Sequence, residues 1–315
     1  MNKEKLLDCH ARITPYIHDT PVLTSGSINK IAGTSIFFKC ENFQRAGAYK
    51  IRGATNAMLL LSNEQRSNGV VTHSSGNFAQ AVALAAKSLG IKAHIVMPSS
   101  APEIKKIGAR EYGGIVFECK PTLEARQAMA DKIGSETGAT FLHPSNNENV
   151  IVGQSTAALE LLKDIPDLNT IFCPVGGGGL IAGSSLAATY FGKNCAVLGG
   201  EPFEADDAYR SLVSGKIEGN NTVNTIADGL KTTLGDKNFP IIKEHVSKII
   251  RVTENEIVAA MRLVWERMKI IIEPSSAVTV AALLRDAKEN PNNYLDKKVG
   301  VIISGGNVEL GNLPF

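Results

Sequence analysis

The stretch TIFCPVGGGGLIAGSSLAATY, residues 170–190, decides the fold. Thr170–Val175 is a short apolar run that reads as a buried strand. Leu180–Tyr190 reads as a helix. Four glycines, Gly176 to Gly179, join the two. A strand that feeds a helix through so short a turn is half of a β-α-β unit. The same alternation extends outward. Toward the N-terminus the pattern predicts a helix over Gly153–Leu162, a strand over Ile115–Cys119, a helix over Ala101–Tyr112 and a strand over Lys92–Met97, stopped by Pro98. Asn77–Leu89 is an alanine-rich helix closed by Gly90. Toward the C-terminus, Ala196–Leu198 is a strand candidate, and Thr253-x-x-Glu256 is a capping box that opens a helix through Lys269. Lys298–Ile303 (KVGVII) is a last strand. The fold class is therefore α/β, with mostly parallel sheets flanked by helices. The 315 residues suit about two domains, or one large α/β unit.

Ligands in such sheets bind beyond the carboxyl ends of the strands. Three loops leave strands there: His73-Ser74-Ser75-Gly76-Asn77, Gly176–Gly179 and Ser304-Gly305-Gly306-Asn307. The tetraglycine either cradles a phosphate on backbone N–H groups or makes a tight turn. It is no nucleotide P-loop, because Gly192-Lys193 and Gly215-Lys216 lack a following Ser or Thr and no GxGxxG opens the helix. Lys50 sits in AGAYKIRGA between Tyr49 and Ile51. It is either a solvated surface lysine or, desolvated by apolar neighbours, an amine with a lowered pKa suited to a Schiff base. Ser304 is either a turn serine or a neutral partner for a pyridine nitrogen. Lysine, phosphate site and strand-end serine together form the protein side of a pyridoxal phosphate site.

Composition removes other classes. With 33 basic and 31 acidic residues the net charge is +2, which excludes the basic excess of a nucleic-acid binder. Apolar runs such as Ala81–Ala86 are far shorter than a bilayer span. The N-terminal MNKEKLLDCHAR has no apolar signal region. Cys9, Cys40, Cys119, Cys173 and Cys195 form neither a disulfide framework nor a zinc motif. A cytoplasmic protein with no membrane or nucleic-acid partner is expected. His73, His94 and His143 show no metal spacing and read as ordinary polar or core histidines.

Taken together, these segments resemble the fold-type II pyridoxal phosphate enzymes, and more narrowly the serine racemase and serine/threonine dehydratase family. The resemblance runs from Arg12-Ile13-Thr14-Pro15 to Ser304-Gly305-Gly306-Asn307 and includes Thr225-Ile226-Ala227-Asp228-Gly229 and Glu273-Pro274-Ser275. It implies a large domain of residues 1–67 and 147–315, a small domain of 68–146, and a homodimer. It implies that Lys50 carries the cofactor as a Schiff base, that Gly176, Gly177, Gly178, Gly179 and Leu180 hold its phosphate, and that Asn77 and Ser304 meet its ring hydroxyl and nitrogen. Ser74, Ser75, Arg126 and Thr232 fall where the family meets its amino-acid substrate. Glu201, Ala205 and Asp207 match a divalent-cation site, expected to take Mg²⁺; the other reading of the two acids is solvated residues at a helix start.

The chain departs from the family at Ala48, where serine is usual, at Tyr49, where phenylalanine is common, at Phe78, where histidine is usual, and at Thr232, where mammalian-type racemases carry serine. It also stops at Phe315, which implies that no C-terminal regulatory domain follows. In the implied reaction Lys50 removes the α-proton, and inversion needs a second acid/base on the other face, for which Ser75 fits. Many threonine dehydratases of the family read Ser-Ala-Gly-Asn at this loop. The Ser-Ser-Gly-Asn here points to serine racemase with L-serine/L-threonine dehydratase activity. The alternative is a dedicated L-threonine/serine or threo-3-hydroxyaspartate dehydratase without racemase activity. Two rivals lie outside the family. A phosphate-ligand binding protein leaves Lys50 with Ser304 unexplained, and a dinucleotide-dependent oxidoreductase lacks its glycine fingerprint.

Overall fold

The computed structural model describes residues 1–101 and 103–315. In chain order its strands are β1 (Val22–Leu23), β2 (Ser35–Cys40), β3 (Val70–His73), β4 (Ala93–Pro98), β5 (Ile115–Cys119), β6 (Thr140–Phe141), β7 (Thr170–Pro174), β8 (Ala196–Pro202), β9 (Lys248–Val252) and β10 (Lys298–Ile303). They form a six-stranded sheet in the order β1-β2-β10-β7-β8-β9 and a four-stranded sheet in the order β5-β4-β3-β6. Every pairing is parallel except the edge pair β1–β2. The apolar run KVGVII fits this geometry. As β10 it lies between β2 and β7 with Val299 to Ile303 buried, as a parallel strand covered on both faces must be.

Helices cover both faces of each sheet. On the larger one, Lys3–Ile13, Glu148–Asp164 and Gly179–Phe191 bury one face, and Gly26–Ala32, Glu254–Met268 and Pro274–Glu289 the other. On the smaller one, Lys50–Leu59 and Asn77–Leu89 share a core with one face, while Leu123–Thr137 buries Ala130 and Ile133 against the other. The capping box at Thr253 and Glu256 is formed, with both side chains meeting the partner backbone. Such a cap contributes about 1 kcal/mol. The helix expected over 101–112 is found at Glu103–Glu111, while Pro102 lies outside the described residues. The helix expected to start at Gly153 starts five residues earlier. The Asn147 side chain accepts the Val150 N–H there, and the polar first turn hides the start from an apolar pattern.

One close approach shapes the site. Helix Lys50–Leu59 lies directly on helix Glu148–Asp164, and a Cβ on Gly153 would stand 2.5 Å from the Gly53 Cα. No side chain other than hydrogen fits between these backbones.

Candidate active site

The carboxyl ends of β3, β6, β7 and β10 open onto one cavity of about 390 Å³ between the two sheets. Lys50, Ser74, Ser75, Asn77, Arg126, Thr232 and Ser304 all line it. Gly176–Gly179 and Leu180 do not reach its wall. They lie behind it, where a Cβ on Gly177 would meet Ser145 Oγ at 2.4 Å and Thr232 Oγ1 at 3.0 Å, both from cavity-lining residues.

Lys50 is the first residue of its helix. The Tyr49 N–H donates to Ser304 O at 3.0 Å, and Ala48 bridges Gly305, so the chain entering Lys50 is tied to the end of β10. The Lys50 ammonium donates to Pro144 O at 3.2 Å and stands 5.0 Å from the Tyr49 ring and 5.8 Å from the Phe78 ring. Burial lowers its pKa from 10.5 to about 8, with the charge of Glu273 opposing the shift. The surface-lysine reading is excluded.

Asn77 opens its helix and is held on both sides of its amide. Its Nδ2 donates to Glu273 Oε1 at 2.8 Å and Oε2 at 3.0 Å, and its Oδ1 accepts from Asn307 Nδ2 at 3.1 Å. Glu273 is buried, and its pKa is pushed up to about 7 by that burial, against the pull of the Lys105 charge. Lys105 pairs in turn with Asp228. Several links thus cross between the sheet layers, among them Asn77 to Glu273 and Asn307, and Lys105 to Asp228. Ser304 is buried, with its hydroxyl 3.0 Å from the Ser276 hydroxyl. The hydroxyl of Ser304 is thus paired with a neutral group.

The tetraglycine has the backbone geometry that an anion site requires. Gly178 has φ +78°, and a Cβ there would stand 2.6 Å from Leu234 Cδ2 and 2.8 Å from Asn238 Oδ1. Among the described residues no protein acceptor takes the N–H groups of Gly176 to Gly179, and the first bond of the turn is Ala182 N–H to Gly178 O at 3.0 Å. A row of free N–H groups at the start of a 13-residue helix suits a phosphate. With Lys50 and Ser304 on the adjacent cavity, the residues present fit pyridoxal phosphate.

Several cavity residues were not legible as such. His73 and His143, expected to be ordinary, line the cavity, whereas His94 packs against Phe117 in the small sheet. His143 Nδ1 accepts N–H bonds from Ser145 at 3.2 Å and Asn146 at 2.8 Å, which places its proton on Nε2. Burial pushes its pKa down to about 4. Glu273 carried one signal, an acid following three isoleucines in KIIIEPSS (residues 269–276). For Lys105 no local pattern existed.

Glu201 and Asp207 are fully buried, which overturns the solvated-acid reading. Glu201 ends β8, and its oxygens accept from Ala208 N at 3.0 Å and Tyr209 N at 2.8 Å. Asp207 Oδ2 accepts from Leu234 N at 3.0 Å, while Oδ1 has no protein partner. Burial and the Asp207 charge push the Glu201 pKa well up, and burial pushes Asp207 up to about 6. Ala205 is buried in the turn between them. Among the described residues no three His, Cys, Asp or Glu side chains gather as a metal cluster. The orphaned oxygen beside a second buried carboxylate nonetheless fits a hard cation whose shell is completed by a carbonyl and waters.

A family model described as pyridoxal-phosphate dependent enzyme matches residues 13–305. The serine racemase of Dictyostelium discoideum is 49% identical over 308 residues, covering 97% of this chain and 94% of that protein. The beta-hydroxyaspartate dehydratase of Paracoccus denitrificans is 45% identical over 312 residues, covering 99% and 98%. The structure of maize serine racemase superposes with a TM-score of 0.95 at 46% identity, covering 98% of this chain and 94% of that one.

Proposed function

Since the chain belongs to the fold-type II pyridoxal-phosphate dependent enzymes, in the group of serine racemases and serine/threonine dehydratases, we propose that it racemises serine and also dehydrates L-serine and L-threonine. The observation that carries this reading is that Lys50, at the start of its helix, and Ser75, in the loop after β3, line the same cavity. When bound, the cofactor supplies the electron sink that makes an amino acid's α-proton removable. Lys50, Asn77, Ser304, Gly176–Gly179 and Leu180 would hold it. The Lys50 amine, with a pKa near 8, takes and returns the proton on one face. Ser75 Oγ serves the other face, and Ser74, Arg126 and Thr232 orient the substrate carboxylate and side chain. The neutral Ser304 hydroxyl would leave the bound cofactor's ring nitrogen largely unprotonated, a weaker electron sink suited to elimination and racemisation.

The reading extends to the rest of the molecule. The four strands of the smaller sheet fall within 68–146, which supports that segment as the small domain and 1–67 with 147–315 as the large one. Glu201, Asp207 and the Ala205 carbonyl would bind Mg²⁺. The five free cysteines support a cytoplasmic setting. Exposed Ile31, Val213 and Leu295 supply apolar surface for a homodimer. No described helix is long and apolar enough to cross a membrane.

The second reading, a threo-3-hydroxyaspartate dehydratase, is favoured by the cations Lys105, Arg126 and Lys231 around the cavity, which suit a second substrate carboxylate. The test is incubation with L-serine, D-serine, L-threonine and threo-3-hydroxyaspartate, measuring keto acid and enantiomer on the same samples. D-serine from L-serine is expected. Keto acid without any D-serine would leave the dehydratase.

A further inference from the structure

We propose that Arg52 is a positioning residue for Lys50: a buried, charge-balanced quartet of Arg52, Lys39, Glu41 and Glu160 locks the first turn of helix Lys50–Leu59 and so sets where the Lys50 amine stands. The inference rests on the reading of Lys50 as the cofactor lysine. The Arg52 guanidinium is wholly buried and engages two carboxylates at once. Its Nε and Nη2 donate to Glu41 at 2.7 and 2.8 Å, its Nη1 and Nη2 donate to Glu160 at 2.7 Å each, and Nη1 also reaches Thr156 Oγ1 at 3.2 Å. The Lys39 ammonium stands 2.8 Å from Glu160, 2.7 Å from Thr20 O and 3.5 Å from the exposed Asp19 carboxylate, and His10 Nε2 lies 3.3 Å from Glu160 Oε1 at the edge of the quartet.

Three separate elements of the larger layer converge on this side chain. Lys39 lies in β2, Glu41 just beyond it, and Glu160 in helix Glu148–Asp164. A buried ion cluster of this kind gives little net stability over an apolar replacement, so stability alone does not account for it. Geometry does. Residues two apart on a helix point to nearly opposite sides, so Lys50 reaches the cavity while Arg52 reaches the interior. The underlying helix contact runs through Gly53 and Gly153, where the backbones meet directly, with the Asn56 amide bonded to Asn149 O at 2.7 Å one turn further on. The guanidinium adds a second, charged tie at the start of the helix, next to Lys50. With the Tyr49 N–H held by Ser304 O, any slide or rotation of the helix start is resisted at both ends of the turn.

The test reads Lys50 directly in the cofactor-free protein, by competitive labelling of amines with acetic anhydride across pH and mass spectrometry of the Lys50 peptide. Glu273, His143 and Tyr49 face this amine and are unchanged in every variant. Arg52→Lys keeps the charge but cannot fork onto two carboxylates. Arg52→Met combined with Glu41→Gln removes one charge of each sign and leaves Lys39 paired with Glu160. Leu159→Ala destabilises the same long helix without touching the quartet. The wild-type midpoint is expected near 8. Both quartet variants should move it up by about one unit, a tenfold loss of reactive amine at pH 7. In the loaded enzyme kcat should fall about 100-fold, as for a reacting group misplaced by an ångström, with KM changed by less than about threefold. Leu159→Ala should lower Tm and leave the midpoint in place. Wild-type midpoint and kcat in the folded quartet variants, or failure of both to fold, would overturn the proposal. Reduction of the cofactor onto a lysine other than Lys50 would instead overturn the functional reading, which separates the two failures.

Discussion

Replacing Asp207 with asparagine should make the metal-free protein more stable at neutral pH, by an amount the structure sets. Burial lifts the Asp207 carboxyl pKa from 3.8 to about 6. A raised pKa means that the fold prefers the protonated acid. That preference is fully present below about pH 4 and is lost as pH rises through about 6. Each pKa unit is worth about 1.4 kcal/mol, so ionised Asp207 costs the metal-free fold up to about 3 kcal/mol at pH 7.5. Removing its charge also relaxes Glu201, whose pKa Asp207 helps to raise, and that effect has the same sign. For a chain of this length, about 2 °C of Tm accompanies each kcal/mol, so the difference is roughly 6 °C. The assay is thermal unfolding of wild type and Asp207→Asn in EDTA, from pH 4.5 to 7.5. The Tm gap should open in favour of the variant as pH rises. Mg²⁺ should then narrow or close that gap. A cation at about 100 times its Kd adds about 2.7 kcal/mol to wild type, and it finds one carboxylate fewer in the variant. A Tm gap that stays flat with pH would refute the electrostatic reasoning, and equal Mg²⁺ shifts in both proteins would refute the site.

Lys50→Ala should abolish the cofactor adduct left after borohydride reduction, and mass spectrometry that finds an adduct on another lysine would reassign the site. Ser75→Ala should lose nearly all conversion of L-serine to D-serine while keeping much of the L-serine dehydration. Chiral chromatography with a pyruvate assay decides this, and unchanged racemisation would remove Ser75 from the mechanism. Gly178→Ala combines a left-handed backbone with contacts of 2.6 and 2.8 Å, so it should cost about 2–5 kcal/mol between strain and overpacking. A cofactor titration that shows wild-type affinity would mean that the turn relaxes freely.

The segments easiest to read were those whose residue pattern is repeated by the backbone itself. KVGVII was legible as a strand because a doubly covered parallel strand is apolar throughout, and Asn77–Leu89 because alanine and leucine end at a glycine with φ 67°. The three strand-end loops were legible from glycine and serine spacing. What stayed hidden depends on distance in the chain. Asn77 finds Glu273 across 196 residues, and Lys105 finds Asp228 across 123. No local periodicity encodes such a pairing. His143 looked like a core residue because its cavity role comes from two backbone N–H bonds that fix its tautomer, which composition does not carry. Helix Lys50–Leu59 was missed as a helix because its buried face carries the polar Arg52, Thr55 and Asn56, of which Arg52 and Asn56 find their partners only through the tertiary fold.

Two of the links that cross between the sheet layers differ in one respect. Asn77 and Glu273 meet where Glu273 is out of reach of solvent, whereas Asp228 is 40% exposed on its side of the Lys105 pair. Dissolved ions therefore weaken the second link far more than the first, over a screening length of about 8 Å at 0.15 M salt. Added salt should therefore loosen the outer clasp and leave the inner one, Asn77 on Glu273, in place.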